Sequence, residues 1–226
     1  METDSYHERY HRQELIQGWE QKKLSNARVG IISGGCLGEF VSLGLTALGI
    51  GEIRILTNEK KGKSDFSFLD KLDDYSDYRG SEKAKVASSI LKKINTTIEI
   101  IGIHSQIVSY SSFVLFNNPD VIVDATNSRN SKLLCVDYSK KNTIPFISLS
   151  AGYNKGIVDV NPDDKKLEKH FEYNNESQNP IISSVLSGFA IDEIRKILLP
   201  LNKNDKVCTK SLVYNLAEND PFGGLN

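Results

Sequence analysis

Residues 27–51, ARVGIISGGCLGEFVSLGLTALGIG, decide the fold. Residues 29–33 read as a buried strand, Gly34, Gly35 and Gly38 as a tight turn, and the remainder as an amphipathic helix that stops at Gly49. Strand, glycine turn and helix in that order open a nucleotide-binding α/β unit, in which backbone N–H groups at the helix N-terminus face an anion. The turn lacks one glycine where such loops usually carry one.

The totals bound what surrounds this unit. A chain of 226 residues can build one large domain or two small ones, and no linker divides it. Lys and Arg number 28 against 29 Asp and Glu, a formal charge of -1, which leaves no global basic footprint for nucleic acid or anionic lipid. No apolar run approaches the roughly 18 residues of a membrane span, and METDSYHERYHRQ has no apolar signal core. A cytoplasmic protein with neither nucleic-acid nor membrane partner is expected. Cys36, Cys135 and Cys208 are isolated, so no disulfide framework and no zinc site is expected, and each reads as a small core hydrophobe.

Taken in order, residues 1–26 read as one or two short helices, with Tyr10, Leu15, Ile16, Trp19 and Leu24 as their apolar positions. Beyond residue 27 strands and helices alternate, the pattern of a mostly parallel sheet with flanking helices. Strands are expected at 52–56, 97–103, 121–125, 145–150, 157–160 and 211–216. Helices are expected at 81–94 with a Ser81 cap, at 109–116, at 129–141 and at 181–199, the last buried and stopped by Pro200. The stretch 57–79 is a long polar loop, either working or disordered, and 161–179 reads as polar and loose. The tip after residue 125, Thr126-Asn127-Ser128, belongs to the candidate site, because ligands of open α/β sheets bind at the carboxyl ends of strands.

RYHRQ at 9–13, followed by Leu15, Gly18, Glu20-Gln21 and Leu24, precedes the strand–glycine–helix unit. G-x-x-K-A follows at 80–84, D-A-T-N-S at 124–128, then P-F-I-S-L-S-A-G and the long late helix. In order and spacing these blocks resemble the MoeB/ThiF and ubiquitin-activating enzyme superfamily over nearly the whole chain. The resemblance implies an N-terminal helical arm over 1–26 and a single Rossmann-like domain over 27–226. It implies binding of ATP and Mg²⁺, with transfer of AMP to a carboxylate, usually the C-terminus of a ubiquitin-like or sulfur-carrier protein. It also implies a dimer in which an arginine of the N-terminal block reaches the partner's ATP site.

Position by position the resemblance is uneven. Arg12 matches the arginine that acts across the dimer and Lys83 the lysine on the triphosphate, which makes both catalytic candidates. Gly34, Gly35, Gly38, Glu59, Lys83 and Asn127 are the cofactor-binding candidates. Ser33 stands where the family has its first glycine, and Cys36 replaces another. The ribose aspartate becomes Glu59, the phosphate arginine of the block near 64–68 is absent, and the Mg²⁺-linked aspartate becomes Asn127, whose amide brings no charge to a hard cation. From the residues alone, Asn127 reads equally as the cap of the helix from Arg129, Lys83 as a solvated lysine, and Glu59 as a loop acid. His7, His11, His104 and His170 lack metal spacing and read as surface residues. Lys60-Lys61-Gly62-Lys63 reads as a solvated loop.

Two functions follow from the resemblance. One is an accessory subunit, or pseudoenzyme, with a weakened ATP site that supplies Arg12 in trans to an active ThiF-like partner. The other is a divergent homodimeric adenylyltransferase acting on a small-molecule carboxylate or a carrier-protein tail. None of the cysteines sits on an exposed mobile segment, so no thioester step is expected. A dinucleotide-dependent oxidoreductase fits poorly, because the turn is not G-x-G-x-x-G.

Overall fold

A computed structural model describes residues 2–33, 35–62, 78–172 and 179–217. The described residues form a seven-stranded sheet of order β3-β2-β1-β4-β5-β6-β7. Its strands are β1 (Arg28–Ser33), β2 (Glu52–Leu56), β3 (Glu99–Ile103), β4 (Val121–Ala125), β5 (Phe146–Ala151), β6 (Lys155–Val160) and β7 (Leu212–Asn215). The pairings from β3 through β5 are parallel, and β6 and β7 add an antiparallel edge. This is the expected Rossmann-like α/β architecture. The chain leaves β1 for β2 and β3 on one side and returns to β4 on the other, so the carboxyl ends of β1 and β4 flank the topological switch point.

Strand periodicity sends alternate side chains to two apolar layers. On one face Val29, Ile31, Val121, Val123, Ile147 and Leu149 pack against α3 (Cys36–Leu48), α4 (Lys83–Ile94) and α7 (Pro180–Leu198). On the other, Ile32, Ile122 and Phe146 meet α5 (Arg129–Asn142), α6 (Asp164–Glu172) and the 3₁₀ turn Tyr110–Phe116. β2 and β4 fall on their expected residues, because buried parallel strands are written as unbroken apolar runs.

Three expectations are corrected. The helix after the long loop starts at Lys83 and Ser81 does not cap it: the Ser81 carbonyl accepts from Lys61 N–H at 2.8 Å and Lys60 bridges Glu82, which keeps Glu82 extended. The polar stretch after β6 contains α6, a helix held by buried Leu167 and His170. The four histidines are not all surface residues, since His170 is buried. Most of the long loop, residues 63–77, lies outside the described residues, so its role as a working or disordered segment is not addressed by them.

The N-terminal arm comprises α1 (Glu2–Glu14) and α2 (Gln21–Ser25), and it docks on the amino-terminal edge of the sheet. Tyr10 is fully buried, and its hydroxyl accepts from Asn95 Nδ2 at 2.7 Å. The same amide nitrogen donates to the Thr46 carbonyl at 2.9 Å, while Asn95 Oδ1 accepts from Thr97 N–H and its hydroxyl. Gln13 donates to the carbonyl of Ala47 and Gln21 to that of Leu48. Gly49 ends α3 at φ +84°, where an added Cβ would strike the Tyr10 ring, so glycine serves both conformation and contact there. Of the arm's apolar positions, Tyr10 and Leu24 are buried in this chain, while Leu15 and Ile16 are exposed.

Asn95 is therefore a fully satisfied buried amide that ties the arm to α3 and β3. Asn95→Ala removes one hydrogen bond each from the Thr46 carbonyl and the Tyr10 hydroxyl, and it should lower stability by about 2 kcal/mol in urea unfolding while exposing the arm to limited proteolysis.

Candidate functional site

A crevice of about 380 Å³ opens at the carboxyl ends of the strands. Ile32, Leu56 and Ile107 give it an apolar floor, Thr57, Asn58 and Glu59 come from the end of β2, and Thr126, Asn127 and Ser128 come from the tip of β4. Asn58 Nδ2 donates to Gln106 Oε1 at 2.9 Å across the mouth.

The tip is shaped by Asp124, fully buried at the end of a strand that otherwise carries only apolar side chains. Its Oδ1 accepts from the N–H and the hydroxyl of Thr126, at 2.8 and 2.6 Å, which folds the backbone back after β4. Its Oδ2 accepts from the Ser131 hydroxyl at 2.6 Å. Ser128 then caps α5, accepting from Ser131 N–H at 3.3 Å, so Asn127 is not the cap and stands on the crevice wall, half-buried.

Behind the tip, Lys132 is completely buried. Its Nζ donates to the carbonyls of Asp124 (3.0 Å) and Leu149 (2.8 Å) and to the Ser148 hydroxyl (3.1 Å), and it lies 3.5 Å from Asp124 Oδ1. Burial lowers its pKa, while the Asp124 carboxylate opposes that shift. From there a polar chain continues through His170. Its Nδ1 lies 3.1 Å from Ser150 Oγ and 3.3 Å from Ser148 Oγ, and its Nε2 lies 3.0 Å from Asp159 Oδ2. A carboxylate oxygen accepts, so Nε2 carries the hydrogen and Nδ1 accepts from the serines. The order serine, histidine, carboxylate is that of an acyl-transfer triad, yet Ser148 and Ser150 are wholly inaccessible, so here it fastens α6 to β5 and β6.

Beside the crevice, where the glycine turn would face a phosphate if the crevice held a nucleotide, Ser33, Gly35, Glu39, Thr57 and Lys83 enclose only about 10 Å³. Gly35 precedes α3 with extended backbone. Gly38 is packed on Ser33: an added Cβ would overlap that hydroxyl. Gly34 lies outside the described residues. Lys83 forms an ion pair with Glu59, which joins two of the candidates to each other. Lys61, expected in a solvated loop, is buried, with its Nζ 3.3 Å from Oε1 of the buried Glu39. The correction has a physical cause: the chain after β2 runs over the first turn of α3, where a carboxylate is favoured by the helix dipole.

Arg12 is exposed in the last turn of α1 and makes no hydrogen bond or ion pair among the described residues. The arm contacts the far end of α3, at Ala47 and Leu48. Thirteen residues of helix separate that end from the glycine turn, about 20 Å. The structure thus places Glu59 and Asn127 on the crevice, Gly35 and Lys83 on the small adjoining space and Gly38 against Ser33, which borders both, and it leaves Arg12 near the far end of α3.

Neither buried thiol is poised to ionise: burial, with the Glu39 carboxylate, pushes Cys36 up to about 11, and burial raises Cys135. Among the described residues no group of three or more His, Cys, Asp or Glu is placed to hold a metal ion, and no helix is long and apolar enough to cross a membrane. The sequence pattern does not single out Glu39, Lys132 or Asp159, and it places His170 on the surface. For Lys132 a signal exists, because it lies on the buried stripe of α5 with Ser131, Cys135, Val136 and Ser139.

Fold and crevice define a doubly wound α/β protein with a ligand cleft at its topological switch point. The chain belongs to the ThiF family, whose profile matches residues 7–222. It is 30% identical over 142 residues to the sulfur carrier protein ThiS adenylyltransferase of Bacillus subtilis, covering 62% of this chain and 42% of that one. It is 29% identical over 164 residues to the adenylyltransferase and sulfurtransferase UBA4 of Kluyveromyces lactis, covering 71% and 36%. The chain thus spans well under half the length of these two relatives. In fold it is similar to PaaA, with a TM-score of 0.78 at 19% identity over 95% of this chain and 71% of the other. It is also similar to MccB of E. coli solved with ATP, with a TM-score of 0.69 at 19% identity over 87% and 65%.

His170 yields a stability test. Burial holds its pKa below the ordinary 6.5, against the opposing pull of Asp159 and Asp124 and with Lys132 adding to the shift. Lys166 also reaches Asp159, 3.8 Å away. The unfolded chain therefore binds the extra proton first, and stability should fall as pH drops below about 6.5, by at most about 1.4 kcal/mol per pH unit from this group. Urea midpoints at pH 7.5 and 5.5 should converge in His170→Gln relative to the native chain.

Proposed function

We propose that this chain acts in ATP-dependent adenylation of a carboxylate, the C-terminus of a ubiquitin-like or sulfur-carrier protein. In this reading it is an accessory subunit that dimerises with an active ThiF-like partner, has a weakened ATP site of its own and supplies Arg12 in trans. One observation supports the trans role: Arg12 is exposed on an arm that contacts the end of α3, about 20 Å of helix away from the glycine turn beside this chain's own crevice. Family membership supports the class of reaction, and the two relatives are named as adenylyltransferases. A fixed guanidinium offsets the charge that gathers when a carboxylate attacks the α-phosphate, and it does so without reorganising.

The fit to ATP·Mg²⁺ within this chain is partial. The apolar floor and the amides of Asn58, Gln106 and Asn127 suit a nucleoside. The phosphate end does not suit a triphosphate, and Asn127 offers a metal only an uncharged oxygen. With buried Cys36 and Cys135, the reading includes no thioester step on those thiols.

In the complex with its active partner, Arg12→Ala should lower ATP–pyrophosphate exchange roughly 100-fold with unchanged assembly by size-exclusion chromatography. Full exchange activity in that variant would overturn the trans role.

A further inference from the structure

The two lysines at the phosphate end are already matched by the chain's own carboxylates. Glu39 stands in the first turn of α3 and is buried, with its carboxylate 3.3 Å from the buried Lys61 ammonium. Glu59 holds Lys83. The Ser33 side chain fills the space over Gly38 that an added Cβ there would need. Together Ser33, Gly35, Glu39 and Lys83 leave about 10 Å³, the room of about one water, against about 380 Å³ in the adjoining crevice.

A helix N-terminus attracts an anion through its dipole and its unpaired N–H groups. At α3 that attraction is spent on Glu39. A phosphate entering there would meet a buried carboxylate of like charge, and displacing it would leave Lys61 to be repaired or re-solvated in a confined space. Among the described residues, the side-chain carboxylate lining the crevice proper is that of Glu59, which is paired with Lys83. The crevice floor of Ile32, Leu56 and Ile107 can take a base, and its walls carry hydroxyls and amides for a sugar.

We infer that Glu39 and Ser33 plug the phosphate end of the site, so that the crevice takes a nucleoside or nucleoside monophosphate in preference to the triphosphate. The inference rests on reading the crevice as a nucleotide site, and it names the ligand class for the weakened pocket proposed above. The plug works through shape and like charge at once. Longer phosphate chains are penalised more, since each added group has to occupy the end that Glu39 holds.

Calorimetric titration of the full native chain with adenosine, AMP and ATP·Mg²⁺ tests this. AMP should bind at least tenfold tighter than ATP·Mg²⁺, with adenosine within a few-fold of AMP. In Ser33→Gly/Glu39→Ser/Lys61→Met, which removes both partners of the buried pair together, the AMP-to-ATP ratio should narrow at least tenfold. ATP·Mg²⁺ binding as tightly as AMP to the native chain would overturn the plug while leaving the nucleotide reading intact. An unchanged ratio in a variant with native circular dichroism would overturn it as well. Absence of heat with all three ligands would overturn both the plug and the nucleotide reading. If the variant does not fold, the native ratio decides alone.

Discussion

The buried contact between Lys132 and Asp124 is the constraint on which the crevice depends. Asp124 ends the central parallel strand β4 and must satisfy its oxygens without water; it does so by folding Thr126 back and by holding Ser131 at the start of α5. Lys132, one residue on, reaches carbonyls on β4 and β5 together, so strand end, tip and helix start become one rigid corner. A charge with no exposure survives only with such a partner set, since desolvation would otherwise neutralise it. The position of Asn127 on the crevice wall follows from that corner, as does the displacement of the helix cap to Ser128.

From the same corner the polar chain through Ser148, His170 and Asp159 continues to Ser211, beside β7. It crosses β5 and β6, the place where the sheet changes from parallel to antiparallel. The antiparallel edge and α6 are thereby fixed to the strands that form the crevice. Substituting any one member would leave another buried polar group without its partner, which is why the network acts as a unit.

How much of this was legible in the sequence depended on whether the deciding contacts were local. The turn after β1 and the extents of β2 and β4 are written in short apolar runs and glycines, and the tip was placed because strand ends define clefts in this architecture. α6 escaped notice because only Leu167 and His170 mark its buried side among Asp, Lys and Glu, too few for a periodic signal. The burial of Lys61 depends on Glu39, 22 positions earlier, and that of His170 on strands 11 to 22 positions earlier. Ser81 has the chemistry of a cap but lost that role to a bridge with the loop residues it faces. In each case a tertiary partner overrode a local preference.

The arm and the phosphate end can be weighed by the same electrostatic reasoning. A buried ion pair such as Lys61–Glu39 contributes little net stability, because desolvation of both groups offsets their attraction. An apolar pair of similar volume would hold the loop to α3 about as well. On the proposed reading the pair's consequence is local chemistry: it sets a carboxylate in the first turn of α3 and a paired cation beside it, where a phosphate would otherwise draw on both. Arg12 is the opposite case, a guanidinium kept in solvent by an arm whose anchoring falls to its neighbours Arg9, Tyr10 and Gln13. Helical geometry puts 9 and 13 one turn apart on the docked side and leaves 12 off that face. On the proposed reading the chain thus neutralises charge in its own pocket and presents charge to another's, a division set by which residues α1 and α3 bury.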